Sequence, residues 1–160
     1  DSSDYVGEPF ASNPQAFVCA PSHPLSRKKN ISYELLSEYP FVVRERGSGT
    51  RAAMERCFDE HQAQMKVFME MPSNETIKQA VMANMGLSFL SLHTIGLELE
   101  HKLIAVLDVE GTPIVRAWNV VHTLSKLLSP AAEAFRYFML ERAEAHLADT
   151  YGKLLHLGGP

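Results

Sequence analysis

Short apolar runs alternate with helix-spaced apolar positions along this chain, and the alternation predicts strands that lead into helices. The apolar runs with the length and composition of buried strands are 16–20, 41–43, 66–71, 87–92, 103–109 and 114–122. Between them apolar residues recur with helical spacing, as Ala53, Met54 and Cys57 do after Thr50. Repeated strand–helix–strand units predict an α/β fold in which helices flank a mostly parallel sheet.

Capping residues and helix breakers set the predicted helix ends. Ser73 or Asn74 caps a helix that is expected to stop at Gly86, since glycine is favoured just past a helix. Ser129 precedes Pro130, which suits the first turn of a long helix. That helix carries apolar side chains at helical spacing: Phe135, Phe138, Met139, Ala143 and Leu147.

Size, charge and apolar content restrict the class of protein. The 160 residues suffice for one ordinary domain or two small lobes, and the formal net charge of −4 argues against nucleic-acid binding by these residues themselves. No apolar run approaches the roughly 18 residues of a membrane span, and the start Asp1-Ser2-Ser3-Asp4 lacks the pattern of a signal peptide. We therefore expect a cytoplasmic protein without membrane contact, in which Cys19 and Cys57 are buried free thiols.

The segment RERGSGTR at 44–51 is the strongest candidate for an anion site. Its glycines let backbone N–H groups approach a ligand, the helix that follows adds a partial positive charge, and its arginines add charge-assisted bonds. The alternative is a turn with a helix cap, whose arginines pair with Glu45 and Glu55, and the spacing alone leaves both interpretations open. The candidate ligand-binding residues here are Arg46, Gly47, Ser48, Gly49, Thr50 and Arg51.

Two further polar segments follow predicted strands. They supply the candidate residues Ser73, Asn74, Glu75 and Thr76, and Ser91 and His93. Because the carboxyl ends of parallel strands meet at one edge of a sheet, we expect Thr50 and Asn74 to face one concave surface. The alternatives are a helix cap at Ser73 or Asn74 and a structural histidine at His93.

Patterns typical of enzymes do not occur. The stretch 86–90, GLSFL, lacks the second glycine of a nucleophile elbow. The histidines at 61, 93, 101 and 122 are scattered without the spacing of paired metal ligands. The sequence therefore predicts no catalytic residue, no metal site and no enzyme.

The order and spacing of several segments carry a family resemblance. The segments are VCAPSHPL at 18–25, FVVRERGSGTR at 41–51, SNETIKQAVMANMGLSFLSL at 73–92 and LDVEGTPIVRAW at 107–118. Together they resemble the effector-binding domain of LysR-type transcriptional regulators, most closely the regulators of Calvin-cycle (RuBisCO) operons. The resemblance covers roughly residues 5–145.

The resemblance implies a fold of the type II periplasmic-binding-protein kind, with two α/β lobes joined by crossing strands. It implies a remnant of lobe one with the first crossing strand at 1–20 and a complete lobe two at 21–115. The second crossing strand and a C-terminal helix of a truncated lobe one follow at 116–150, and a flexible tail at 151–160. The DNA-binding domain and the first part of lobe one are expected to lie outside this chain.

The resemblance also implies a function without a resident cofactor: sensing a small anionic metabolite. Sugar phosphates, phosphoenolpyruvate, 2-phosphoglycolate and NADPH are the effectors it suggests. The expected partners are that metabolite, the protein itself as a homodimer or tetramer, and DNA only through the absent N-terminal domain. Two alternatives remain at this point, an assembly module that binds no effector and a solute-binding receptor of the same fold.

Overall fold

The computed structural model describes residues 5–123, 128–147 and 149. The chain forms two compact units, one of Pro14–Ile114 and one built from the stretches before and after it. The larger unit begins before the predicted lobe boundary at residue 21, and its identity as a complete lobe two stays a prediction. The predicted tail at 151–160 lies outside the described residues.

The larger unit is built on a mixed sheet. Its strands are the end of β1 (Tyr5–Cys19), β2 (Pro40–Arg44), β3 (Lys66–Met71), β4 (Ser88–Ser91) and β5 (Ala105–Val106). β2 runs parallel to β3, and a parallel bridge between Phe41 and Leu87 joins β2 to the start of β4. β1 is antiparallel to both β4 and β5. The prediction of a mostly parallel sheet holds for β2, β3 and β4, and β1 departs from it because it runs antiparallel to both β4 and β5.

Helices cover both faces of this sheet. They are α1 (Tyr33–Leu36), α2 (Gly49–Glu60), α3 (Asn74–Met82) and α4 (Gly96–Glu100), with short 3₁₀ helices at Pro24–Arg27 and Leu92–Ile95. Phe17 and Phe89 pair across β1 and β4 and pack with Phe58 of α2. The next pair along, Ala16 and Leu90, packs on the other face with α3. Each large side chain buried in this way contributes roughly 1.5–3 kcal/mol.

Gly86 has a different role from the predicted helix stop. α3 ends at Met82, and the chain reverses through Asn84, whose φ is 56°. At Gly86 a Cβ atom would lie 2.9 Å from the carbonyl oxygen of Pro40. The missing side chain instead lets the start of β4 approach β2, where the Leu87 N–H donates to that same oxygen at 2.9 Å.

The predicted strand at 103–109 is much shorter in the structure. Only Ala105–Val106 forms a ladder with β1, although the Leu107 N–H also donates to the Phe17 carbonyl at 2.9 Å. Leu103 is exposed, whereas Ile104 and Leu107 are buried. The apolar run thus reflects the burial of individual side chains, namely Ile104, Leu107 and Val109, and not a long strand paired with β1.

The two cysteines are free and buried, as predicted. Burial raises the pKa of the Cys19 thiol to about 12. Burial also raises the pKa of Cys57, whose Sγ–H donates to the Ala53 carbonyl at 3.0 Å. Both thiols therefore serve as small apolar groups in the core of the larger unit.

The smaller unit contains the beginning of β1, the strand β6 (Ile114–Thr123) that pairs with it, and α5 (Pro130–Phe138). α5 begins at Pro130, as the sequence predicted, and Ser129 caps it by accepting from the Ala132 N–H at 3.2 Å. The helix continues into a π-helical turn at Met139–Ala143. Phe135, Tyr137 and Phe138 are exposed on α5. No helix in the described ranges combines the length and apolarity needed to cross a membrane.

Candidate anion-binding site

The start of α2 follows a glycine turn and has no side-chain cap. Gly47 adopts a φ of +96°, a conformation that a residue with a side chain rarely takes. Ser48 is the N-cap residue, yet its hydroxyl makes no capping hydrogen bond. The N–H groups at the start of α2 are therefore not claimed by the N-cap side chain, and the helix dipole adds partial positive charge there.

Arg44 is held at the end of β2 by its neighbours. Its guanidinium donates twice to the Glu45 carboxylate, at 2.8 and 2.9 Å, and Nη1 donates to Asn74 Oδ1 at 2.9 Å. The hydrogen bond from Arg44 lowers the pKa of Glu45 to about 2. Arg44 thus links the turn before α2 to the first residue of α3.

Arg51 is buried and paired with two carboxylates, which we did not expect of a ligand-binding arginine. Nε donates to Glu55 at 2.8 Å, and Nη1 donates to Glu70 at 2.5 Å and to the Arg44 carbonyl at 3.0 Å. Burial acts to lower the pKa of Arg51, but its hydrogen bonds to the Glu55 and Glu70 carboxylates outweigh that effect and raise the pKa. Arg51 therefore fixes the first turn of α2 to β2 and β3.

Arg46 differs from the other two arginines. Its side chain is exposed in the turn before α2 and, among the described residues, makes no ion pair or hydrogen bond. The pairing of arginines with Glu45 and Glu55, the alternative raised by the sequence, thus applies to Arg44 and Arg51. Arg46 remains available to an anion.

The polar groups at the start of α3 are paired with neighbouring protein groups. Ser73 Oγ accepts from the Thr76 N–H at 3.2 Å and lies 2.8 Å from the Thr76 hydroxyl, so Ser73 is the cap. Asn74 Oδ1 accepts from Arg44. Glu75 pairs at 2.9 Å with the buried Lys78, which also contacts Glu98 at 2.6 Å. These contacts are those of a well-formed helix terminus.

The remaining predicted residues lie at the end of β4. Ser91 is buried, and its carbonyl accepts from the Thr94 hydroxyl at 2.8 Å. His93 is half-buried in the 3₁₀ helix Leu92–Ile95. Ser91 pairs with Gln15 across β1 and β4, and Gln15 Nε2 donates to Thr50 Oγ1 at 3.3 Å. Gln15 therefore joins the end of β4 to the start of α2.

The starts of α2 and α3 lie at one edge of the sheet. Arg44 at the end of β2 is in register with Met71 at the end of the parallel strand β3, and it reaches Asn74. Thr50 and Asn74 thus share that edge, although α2 and α3 pack on opposite faces.

Sequence reasoning missed Gln15, Glu70 and Lys78. One feature of the sequence could have pointed to Gln15. It lies on the same face of the strand as the core residues Phe17 and Cys19, yet it is polar whereas they are apolar. No such feature pointed to Glu70, since its contact with Arg51 depends on the pairing of β2 with β3. Across 5–123, 128–147 and 149, no group of His, Cys, Asp or Glu side chains is placed to hold a metal ion.

Residues 1–144 match the family described as the LysR substrate binding domain. The chain belongs to this family. It is 48% identical over 152 residues to the HTH-type transcriptional regulator CfxR of Cupriavidus necator, covering 95% of this chain and 48% of the relative. It is 50% identical over 136 residues to a RuBisCO operon transcriptional regulator of Allochromatium vinosum, covering 85% of this chain and 45% of the relative. The LysR-family chain thus spans about half the length of these regulators.

Solved structures show the same fold. The regulatory domain of CcmR from Synechocystis PCC6803, in complex with 2-PG, matches with a TM-score of 0.79 and 37% identity over 86% of this chain and 66% of that one. The effector binding domain of QuiR, in complex with shikimate, matches with a TM-score of 0.78 and 22% identity, and shows the fold alone. The predicted α/β fold of the periplasmic-binding-protein type is thereby confirmed. The expectation that the chain is no enzyme is also confirmed, since its relatives are transcriptional regulators.

Proposed function

We propose that this chain is the effector-sensing part of a LysR-type regulator of carbon-fixation genes. The support is its 48–50% identity to CfxR and to a RuBisCO operon regulator. Effector binding favours one conformation of the regulator over another by its difference in affinity for the two. DNA contact belongs to a helix-turn-helix segment outside these residues, and the protein acts in the cytoplasm, where bacterial DNA lies.

The effector is a small anionic metabolite, and 2-phosphoglycolate is the first candidate. The CcmR regulatory domain, 37% identical to this chain, was solved with 2-PG. The observation in this chain that carries the proposal is the start of α2, where an uncapped helix terminus lies beside the exposed Arg46. Phosphoenolpyruvate, sugar phosphates and NADPH offer the same anionic oxygens and are the alternatives within this class.

The anion is bound mainly at Gly47, Ser48, Gly49 and Thr50, with Arg46 as the charged partner. A helix N-terminus stabilises an anion by about 0.3–2 kcal/mol, and a hydrogen bond to a charged group adds about 1.5–3 kcal/mol. Residues at the start of α3 complete the same edge: Ser73, Asn74, Glu75 and Thr76. Ser91 and His93 lie at the end of β4 as candidate contacts. Arg51, in contrast, positions α2 through its buried pairs.

We also propose that the protein associates with itself as a dimer or tetramer. Val67, Phe68 and Met69 are exposed on the edge strand β3, and an edge strand offers unpaired backbone groups to another chain. Phe135, Tyr137 and Phe138 form a second exposed apolar surface on α5. Apolar surfaces of this kind mark interaction sites. Light scattering at low micromolar concentration tests this, and a monodisperse monomer would contradict it.

Calorimetry of the 160-residue chain tests the effector proposal. The titrants are 2-phosphoglycolate, phosphoenolpyruvate, ribulose bisphosphate and NADPH, with sulfate and glycolate as controls. We expect at least one phosphorylated metabolite to bind more tightly than either control. Arg46→Ala should weaken that binding about tenfold or more, whereas Arg56→Ala, which removes an exposed arginine farther along α2, should change it less than twofold.

Two results would count against the proposal in different ways. If none of the phosphorylated metabolites binds more tightly than sulfate, effector sensing by this chain is wrong. If one binds but Arg46→Ala and Arg56→Ala behave alike, the effector class stands and its placement at α2 fails.

A further inference from the structure

Gln15 is buried with an unsatisfied side-chain atom at the start of α2. The residue is 2% exposed, and Nε2 donates to Thr50 Oγ1 at 3.3 Å. Oε1 is also buried, and among the residues that the structure describes it has no hydrogen-bond partner. A buried polar atom without a partner is rare in proteins, because it has lost water and gained nothing in return.

The fold directs this amide toward the anion site. Gln15 pairs with Ser91 in the ladder of β1 and β4, so its side chain lies on the same face as Phe17 and Phe89. That face is the one that α2 covers, and Thr50 lies in the first turn of α2. Gln15 is therefore a polar side chain at the end of an apolar column, next to the helix terminus that lacks a side-chain cap.

A primary amide can serve this position in two orientations. In the first, Nε2–H donates to Thr50 and Oε1 is left without a donor. After rotation by half a turn, the Thr50 hydroxyl donates to Oε1 and Nε2 takes the place that Oε1 held. The bond to Thr50 is kept in both orientations, and only the second presents an N–H donor to an anion.

We propose that Gln15 contacts the effector directly. Its side-chain amide rotates when the anion binds and donates Nε2–H to an anionic oxygen. The proposal rests on the function proposed above and deepens it, since it makes Gln15 and Thr50 a coupled pair in the same site. The ligand class is a small phosphorylated or carboxylated metabolite, whose oxygens accept hydrogen bonds. Such a donor binds an anionic oxygen more strongly than a neutral hydroxyl oxygen, because hydrogen bonds to charged groups are stronger.

The test compares variants of similar shape by calorimetry with 2-phosphoglycolate and phosphoenolpyruvate. Gln15→Met removes both amide groups, and we expect about tenfold weaker binding. Gln15→Glu replaces the donor by a carboxylate that repels the anion, and we expect a loss on the order of 100-fold. Gln79→Met, at an exposed position of α3, is the control and should stay within twofold of wild type. Thermal melting of each variant checks that it folds.

A second test is an NMR titration of the wild-type chain. In a ¹H–¹⁵N spectrum of the wild-type chain, the side-chain amide signals of Gln15 should move on addition of 2-phosphoglycolate, while those of Gln79 should not. If the wild-type chain binds a probe but the Gln15 signals stay in place and Gln15→Met binds normally, this inference is overturned and the proposed function stands. If the wild-type chain binds neither probe nor any other metabolite of the panel, both are overturned.

Discussion

The starts of α2 and α3 lie at the same sheet edge but satisfy their N–H groups differently. At α3, the Ser73 hydroxyl accepts from the Thr76 N–H, and Asn74 bonds to Arg44. At α2, the Ser48 hydroxyl makes no capping hydrogen bond, and the exposed Arg46 lies in the preceding turn. Both helices have serine as the N-cap residue, so residue type alone does not distinguish them.

This difference indicates which of the two helix termini is suited to bind a ligand. A capped terminus must break a bond of about 1 kcal/mol before it can offer that N–H to a ligand, whereas an uncapped terminus loses nothing of this kind. The same sheet edge therefore contains one terminus built for stability and one suited to an anion. The predictions below test that division.

The largest effect is expected when α2 is given a cap of its own. Ser48→Asp places a capping carboxylate at the start of α2, where the Ser48 side chain makes no capping hydrogen bond, so it should stabilise the fold by about 0.5–1 kcal/mol. The same carboxylate should compete with the effector and weaken binding on the order of 100-fold, about 2.8 kcal/mol. Calorimetry and urea unfolding measure the two opposite changes.

Ser73→Asp is the matched control for this substitution. It exchanges one good cap for another at α3, so stability should stay within about 0.5 kcal/mol. Normal effector binding by Ser48→Asp would show that the anion does not lie at the start of α2.

The next effect concerns the buried anchor of α2. Arg51→Met keeps much of the apolar stem but removes the bonds to Glu55, Glu70 and the Arg44 carbonyl. Because both carboxylates are about half exposed and can be hydrated again, we expect a loss of about 2 kcal/mol in unfolding free energy. Urea unfolding measures it. Arg56→Met, at an exposed position of the same helix, should change stability by less than about 0.5 kcal/mol.

A smaller effect should separate the two serine caps directly. Ser73→Ala removes a real capping bond and should cost about 1 kcal/mol, whereas Ser48→Ala removes none and should be close to neutral. Equal losses in thermal or urea unfolding would contradict the difference between the two termini.

The smallest effect involves a third helix start, which is capped by an imidazole. His23 Nδ1 accepts from the Leu25 N–H at 3.1 Å, and burial lowers the pKa of His23 below 6.5. The unfolded chain then binds the proton more readily, so stability is complete above about pH 6.5 and decreases as pH falls through the folded-state pKa. Urea unfolding between pH 7.5 and 5 should show the decrease. His23→Asn keeps an acceptor and should reduce it, and an unchanged pH profile in that variant would contradict the assignment.

Local features of the fold could be predicted from the sequence. β3 at Lys66–Met71 was predicted with its observed bounds, Ser73 was one of the two cap candidates for α3, and Pro130 was placed in the first turn of α5. Apolar runs and caps act over a few residues, so the sequence displays them directly. The strand and helix patterns alone predicted only a mostly parallel sheet flanked by helices. The periplasmic-binding-protein type of fold was predicted from the family resemblance.

Features that depend on distant pairing could not be predicted. The direction of β1 is set by its ladders with β4 and β5, and the close approach at Gly86 is set by Pro40 across the sheet. Arg51 looked like a ligand-binding residue because nothing local shows that Glu70 lies within reach. The sequence therefore proposed the segment 44–51 as a site, but it did not show which of its arginines is left without an ion pair among the described residues.

Burial of the two thiols limits their reaction with oxidants. The thiolate is the reactive form, and burial raises the pKa of Cys19 to about 12, so the thiolate is scarce at neutral pH. In the folded chain both thiols are therefore poor nucleophiles. The same property makes Cys19 and Cys57 reporters of transient opening, since a thiol reagent modifies them at the rate at which the core of the larger unit exposes them.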